Sequence, residues 1–101
     1  MITIYNLKSG VTERQMKNIV KAINDAHTFN ENLYVVEIFN NIGNLIIRAN
    51  YGGAELHKQF IRFFELESAD EKDFAFEVNW EVIQEIKINE LNGAVEIKYS
   101  L

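Results

Sequence analysis

The sequence predicts an α+β domain of the split β-α-β, ferredoxin-like type (β-α-β-β-α-β), with an extra C-terminal β-hairpin and its helices packed on one face of an antiparallel sheet. Three observations predict it. A capped run with helical spacing follows Thr12, two runs rich in β-branched and aromatic residues flank Asn40-Asn41-Ile42-Gly43-Asn44, and an alternation of period two begins at Phe74. At 101 residues the chain has the usual size of one domain, and dividing it would leave neither part enough apolar surface for a core, so residues 1–101 read as a single domain.

Ile2, Ile4 and Leu7 mark a short first strand that ends at Ser9-Gly10. Thr12 with Gln15 three residues on makes a capping box, in which each side chain satisfies a backbone amide that the helix start would leave orphaned. Met16, Ile19, Val20, Ile23 and His27 then recur at helical spacing, which predicts a helix over Thr12–Ala26. Arg14, Lys17 and Lys21 stack on its outer side; three charges without interleaved aromatics read as a solvated face rather than a phosphate site.

After the polar connector 28–32, Leu33–Phe39 and Leu45–Ala49 read as the two arms of a hairpin. Tyr51-Gly52-Gly53 reads as a turn, because the longer glycine spacing and the Lys-Ser/Thr pair of a phosphate loop are missing. Leu56, Phe60, Phe63 and Phe64 fall at i, i+4, i+7 and i+8, predicting a second helix over about Ala54–Leu66 and making it the main core helix. Glu65 to Asp73 reads as a loop or frayed helix end. Phe74, Phe76, Val78, Trp80 and Val82 alternate with polar neighbours, Ile86 and Ile88 continue the strand pattern, and Asn92-Gly93 predicts a final hairpin completed by Val95, Ile97, Tyr99 and Leu101.

Composition removes several function classes. With no cysteine there are no disulfides, thiolate metal sites or cysteine nucleophiles, and a reducing compartment is compatible. Met1 to Lys8 has no basic lead or long apolar stretch, and no apolar run reaches membrane-spanning length, so the expectation is a cytoplasmic protein with no membrane partner. His27 and His57 make no local ligand pair, and Asp70, Glu71 and Asp73 lack the alternation and closing glutamate of a calcium loop. Ser9, Ser68 and Ser100 stand in no nucleophile-elbow context. The expectation is therefore a protein without catalytic residues, metal or cofactor.

The formal net charge of −5 is unevenly spread: residues 1–62 carry seven Lys/Arg against five Asp/Glu, and residues 63–101 carry three against ten. An extended negative surface repels phosphate and attracts basic proteins, which argues against direct nucleic-acid binding and for a protein partner with a basic surface. Glu65, Glu67, Asp70, Glu71 and Asp73 are the residues expected to make that contact. Glu77, Glu81, Glu85 and Glu96 are expected on the polar face of the later strands, as a partner surface or merely a solvated one. Tyr34, Phe39, Phe74 and Phe76 occupy positions where RNA-binding sheets carry base-stacking aromatics, but without the glycine-aromatic motif or basic surroundings they read mostly as core. Phe39 and Tyr51 are the aromatics to check first for exposure.

Leu45-Ile46-Ile47-Arg48-Ala49-Asn50, followed by Tyr51-Gly52-Gly53, is similar to a strand and turn found among small acidic phage-encoded inhibitors of a CRISPR nuclease, and the composition resembles that of a small protein from an AT-rich bacterium or its phage. The similarity covers about nine residues. Anti-CRISPR proteins of this kind bind a basic nucleic-acid channel with acidic side chains, so the resemblance implies an inhibitor whose partner is a nucleic-acid-binding nuclease. This chain differs by opening with a strand and by spreading its acids over strands as well as a loop, and no residue role is carried over. A toxin-neutralising immunity protein shares the charge logic. A structural module that self-associates through a sheet edge, giving a homodimer, is the alternative from a different class.

Overall fold

The computed structural model describes residues 2–28, 35–64 and 74–100. The chain runs through β1 (Ile2–Asn6), α1 (Glu13–Thr28), β2 (Val35–Phe39), β3 (Leu45–Asn50), β4 (Gly53–Leu56), β5 (Phe60–Phe64), β6 (Phe74–Asn79), a 3-10 turn (Trp80–Val82), β7 (Ile83–Asn89) and β8 (Val95–Tyr99). Among the described residues the strands form a five-stranded sheet in the order β1-β7-β8-β2-β3 and a three-stranded sheet in the order β4-β5-β6. Every pairing is antiparallel except β2 with β8, which is parallel.

The start of α1 follows its capping box. The Thr12 amide donates to Gln15 Oε1 at 2.9 Å and the Gln15 amide donates to Thr12 Oγ1 at 3.1 Å. Ile19, Val20, Ile23 and Ala26 are buried; their spacing puts them on one stripe of the helix, while Arg14, Lys17 and Lys21 are exposed. The helix packs against β4 and β7. Asn24 fixes the first of these contacts. Its Nδ2 donates to the Ala54 carbonyl and its Oδ1 accepts from the Ala54 amide, both at 2.9 Å, so a helix side chain occupies the backbone groups of an edge strand.

Both expected hairpins form. Asn40 donates to the Asn44 carbonyl at 3.0 Å and Gly43 donates to the Asn40 carbonyl at 3.1 Å, closing a three-residue loop in which Gly43 has φ 89°. Asn40 Oδ1 also accepts from the amides of Ile42 and Asn44. A bulge follows: Phe39 faces Leu45 and Ile38 faces Ile47, so Ile46 is the extra residue. The β7–β8 hairpin turns through Gly93, at φ 72°, whose amide donates to the Asn89 carbonyl at 2.8 Å.

The ferredoxin-like arrangement is overturned. Among the described residues there is one helix, not two, and eight strands in two sheets. Of the segment expected as a helix over Ala54–Leu66, residues 54–64 instead form the hairpin β4–β5, with the His57 amide donating to the Phe60 carbonyl at 3.1 Å, and residues 65 and 66 lie outside the described residues. Phe60-Ile61-Arg62-Phe63 carries a helical spacing of Phe and, equally, an alternation in which Ile61 and Phe63 are fully buried and Phe60 and Arg62 half-buried. The alternation wins because β-branched and aromatic residues suit a pleated surface and lose side-chain freedom in a helix. It also pairs β5 with β6, where Phe63 stacks on Phe76 at 5.1 Å and Arg62 meets Glu77. The segment 65–73, expected as a loop or frayed helix end, lies outside the described residues.

The buried side chains form one contiguous core to which α1 and both sheets contribute: Ile19 and Ile23 from α1, Val36 and Ile38 from β2, Ile61 and Phe63 from β5, Ile86 and Ile88 from β7, Val95 and Ile97 from β8. Tyr51, one of the two aromatics to check first for exposure, is fully buried. Its ring meets Phe63 edge-on at 5.5 Å and its hydroxyl donates to the Gly93 carbonyl at 2.6 Å, so the phenol carries its own polar partner into the core. Phe39, the other of the two, is half-buried, and Tyr34 lies outside the described residues.

Candidate interaction surface

The acids expected to contact a partner, Glu65, Glu67, Asp70, Glu71 and Asp73, lie outside the described residues. What the fold places is their flanks: Phe64 and Phe74 are paired across β5 and β6. The described residues carry nine Lys/Arg and nine Asp/Glu, so their formal charge is zero. The whole excess of −5 belongs to Glu31 and to segment 65–73, where five acids face one base, Lys72.

This balance is local as well as global. On the outer face of the five-stranded sheet, Glu85 is opposite Lys98, Lys87 opposite Glu96 at 3.8 Å, and Glu37 opposite Arg48 at 3.9 Å. Three carboxylates thus alternate with three bases across adjacent strands. Glu77 is held by Arg62, whose Nε and Nη2 donate to one of its oxygens at 2.9 and 2.7 Å. Of the four strand acids expected on a polar face, Glu85 and Glu96 sit among bases, Glu77 is paired, and Glu81 is exposed in the 3-10 turn. They do not make a row of carboxylates.

The base stripe on α1 is likewise partly neutralised. Lys17 lies 3.6 Å from Glu13, and Lys21 donates to Asp25 at 2.8 Å. That hydrogen bond and the charge of Asp25 raise the Lys21 ammonium above its ordinary 10.5. His57 is in the β4–β5 turn rather than a helix, its ring stacked on Phe60 and its Nε2 against the Glu55 carboxylate. Among the described residues no group of three or more His, Asp or Glu is placed to hold a metal ion, and no helix is long and apolar enough to cross a membrane.

The feature that stands apart from this balanced surface is apolar. β3 is an edge strand with no strand on its outer side among the described residues. Around it Ile42 is 76% exposed, and Leu45, Ile46 and Ile47 are 48%, 50% and 40% exposed. Four large aliphatic side chains within six residues are open to water at one end of a hairpin. Ile2 and Ile4 on β1, the other edge, are also exposed. The sequence carried a signal for the β3 patch: Leu45-Ile46-Ile47 is a consecutive apolar run, so successive side chains point to opposite faces and cannot all reach one core. Reading the run simply as a strand missed that half of it must lie outside unless a second layer covers it.

Comparison with known proteins returns no match among family models, curated proteins or solved structures.

Proposed function

We infer that this chain is a small non-catalytic interaction module whose contact surface is the β2–β3 hairpin, and that a second copy of the chain covers it. The observation that supports this reading is the cluster of Ile42, Leu45, Ile46 and Ile47 on a sheet margin that no strand pairs among the described residues. An uncovered apolar edge is a template for association. Native domains that stay monomeric commonly blunt such an edge with Lys or Pro; here the one charge in β3, Arg48, is engaged by Glu37 of the same chain. The bulge at Ile46 interrupts a regular ladder along β3, so side-chain burial rather than a long run of backbone bonds supplies the contact. A two-fold arrangement brings the same patch from each copy together. The described body is formally neutral, so little repulsion opposes the approach.

Sedimentation equilibrium over a wide concentration range tests this reading. The expected result is a mass rising toward twice the monomer value, and a monomer for Ile46→Lys at the same concentrations. A wild-type mass that stays monomeric throughout, or a dimer untouched by Ile46→Lys, overturns it.

A second reading has its own support in the charge distribution: an inhibitor or adaptor that places Glu65, Glu67, Asp70, Glu71 and Asp73 in a basic site on another protein, such as a nucleic-acid-binding nuclease. Mobile-element counter-defence of the anti-CRISPR kind is its sharpest form and a toxin-neutralising immunity protein its nearest variant. It is favoured by the cancellation of formal charge over the described body as a whole, which leaves one nine-residue segment with most of the chain's excess. Reversing three of those acids should abolish capture of a basic partner from host lysate while leaving the thermal melt unchanged; capture that persists after reversal removes the reading.

A further inference from the structure

The β1–α1 connector, the β4–β5 turn and the 3-10 turn enclose an open cleft of about 760 Å³, within the range of small-molecule sites. Its apolar lining is Leu7 and Trp80, both buried, with Val11 and Met16 half-buried beside them. The walls are fixed by two backbone bonds and one from the Trp80 indole. The Leu7 amide donates to the Gln84 carbonyl at 2.8 Å, the Trp80 amide donates to the Gln59 carbonyl at 3.0 Å, and Trp80 Nε1 donates to the His57 carbonyl at 3.0 Å.

The charges around the cleft are unlike those of the rest of the surface. Lys8 and Lys58 both line it from different elements, both are exposed, and neither makes an ion pair among the described residues, where most other bases are matched. Glu81 is the one carboxylate in the lining, leaving a formal excess of one positive charge over an apolar floor. The residues Val11 and Met16 also place the cleft beside the start of α1, whose helix dipole adds to the positive side.

We propose that this cleft binds a small monoanion with an apolar body, a monocarboxylate whose head lies between Lys8 and Lys58 and whose tail lies on Val11 and Met16 beside the buried edge of Trp80. A single excess charge suits one carboxylate better than a phosphate dianion, and the half-buried apolar side chains of Val11 and Met16 would be left bare by an inorganic anion. This site is separate from the β2–β3 hairpin and does not depend on the function proposed for it.

Trp80 is the only tryptophan in the chain, so its emission reports on the cleft without labelling. Octanoate is the probe, with octanol and octylammonium as tail-matched controls. The expected result is a saturable change in Trp80 emission with octanoate, and affinity about tenfold weaker or more for both controls and for the Lys8→Glu, Lys58→Glu double variant. Both lysines are exposed, so circular dichroism and the thermal melt of the double variant should match wild type. No saturable change at millimolar octanoate overturns the proposal, as does equal binding of octanol or undiminished binding by the double variant.

Discussion

Replacing Tyr51 by Phe removes one oxygen from the middle of the core and keeps the ring. The hydroxyl donates to the Gly93 carbonyl at 2.6 Å, and both Tyr51 and Gly93 are buried. The edge-on contact with Phe63 is retained in the variant, so the transfer of apolar surface is almost unchanged. What is lost is the hydrogen bond, worth about 1 kcal/mol net, together with the cost of leaving a buried acceptor unsatisfied, which brings the total to about 1–3 kcal/mol. For a domain of this length such a loss lowers Tm by roughly 5–15 °C. Urea unfolding followed by Trp80 fluorescence is the assay, and the midpoint should fall with the slope unchanged, since the surface exposed on unfolding is the same. A loss below about 0.5 kcal/mol would refute the reasoning, because it would mean that the Gly93 carbonyl does not depend on this phenol.

Thr12→Ala breaks the capping box at the start of α1 and should cost about 1 kcal/mol, read as a lowered urea midpoint, whereas Thr12→Ser should be nearly neutral. Gly43→Ala should cost about 1–2 kcal/mol because Gly43 holds φ 89°. Gly53→Ala should be tolerated, since the nearest atom to the added carbon is Asn24 Oδ1 at 3.6 Å. Asp25→Asn should let the Lys21 ammonium titrate closer to 10.5, as followed by NMR. The sign follows from the raised value: the Lys21–Asp25 pair contributes in full below 10.5, and its contribution fades as pH rises through the higher folded-state value.

The parts of this fold that were legible in the sequence are those decided within a few residues. Thr12 and Gln15 announce α1 because a cap is a local bargain between two side chains and two amides. Asn40 to Asn44 and Asn92-Gly93 announce their hairpins because positive φ has a residue preference of its own. The segment 54–64 was misread because its phenylalanines satisfy two periods at once, and the choice between them lies in Phe76 and Glu77 of β6, which the local pattern does not contain. The burial of Tyr51 was hidden for a similar reason: a tyrosine next to two glycines looks like a turn residue until a carbonyl from 42 positions away comes within reach of its hydroxyl. The acid excess of segment 65–73 was visible from the start. That the remaining charges would cancel strand by strand depended on register, which only the pairing of β7 with β8 and of β2 with β3 establishes.

The parallel pairing of β2 with β8 has a consequence for the order in which the molecule can be made. β8 is the last strand in the sequence, yet it lies third of five in its sheet, between β7 and β2. Within the sheet, the β1–β7 pair and the β2–β3 hairpin are joined by backbone hydrogen bonds only through it. During synthesis β2 and β3 can pair as soon as they emerge, but the large sheet has a missing centre until residues 95–99 are free of the ribosome. Until then Val36 and Ile38 have no neighbour on that side, and a nascent chain carries an open hairpin with apolar residues on both margins. Completion is therefore a single late event rather than a gradual accretion, and a chain stopped before Val95 would lose the link between two halves rather than merely a terminal strand.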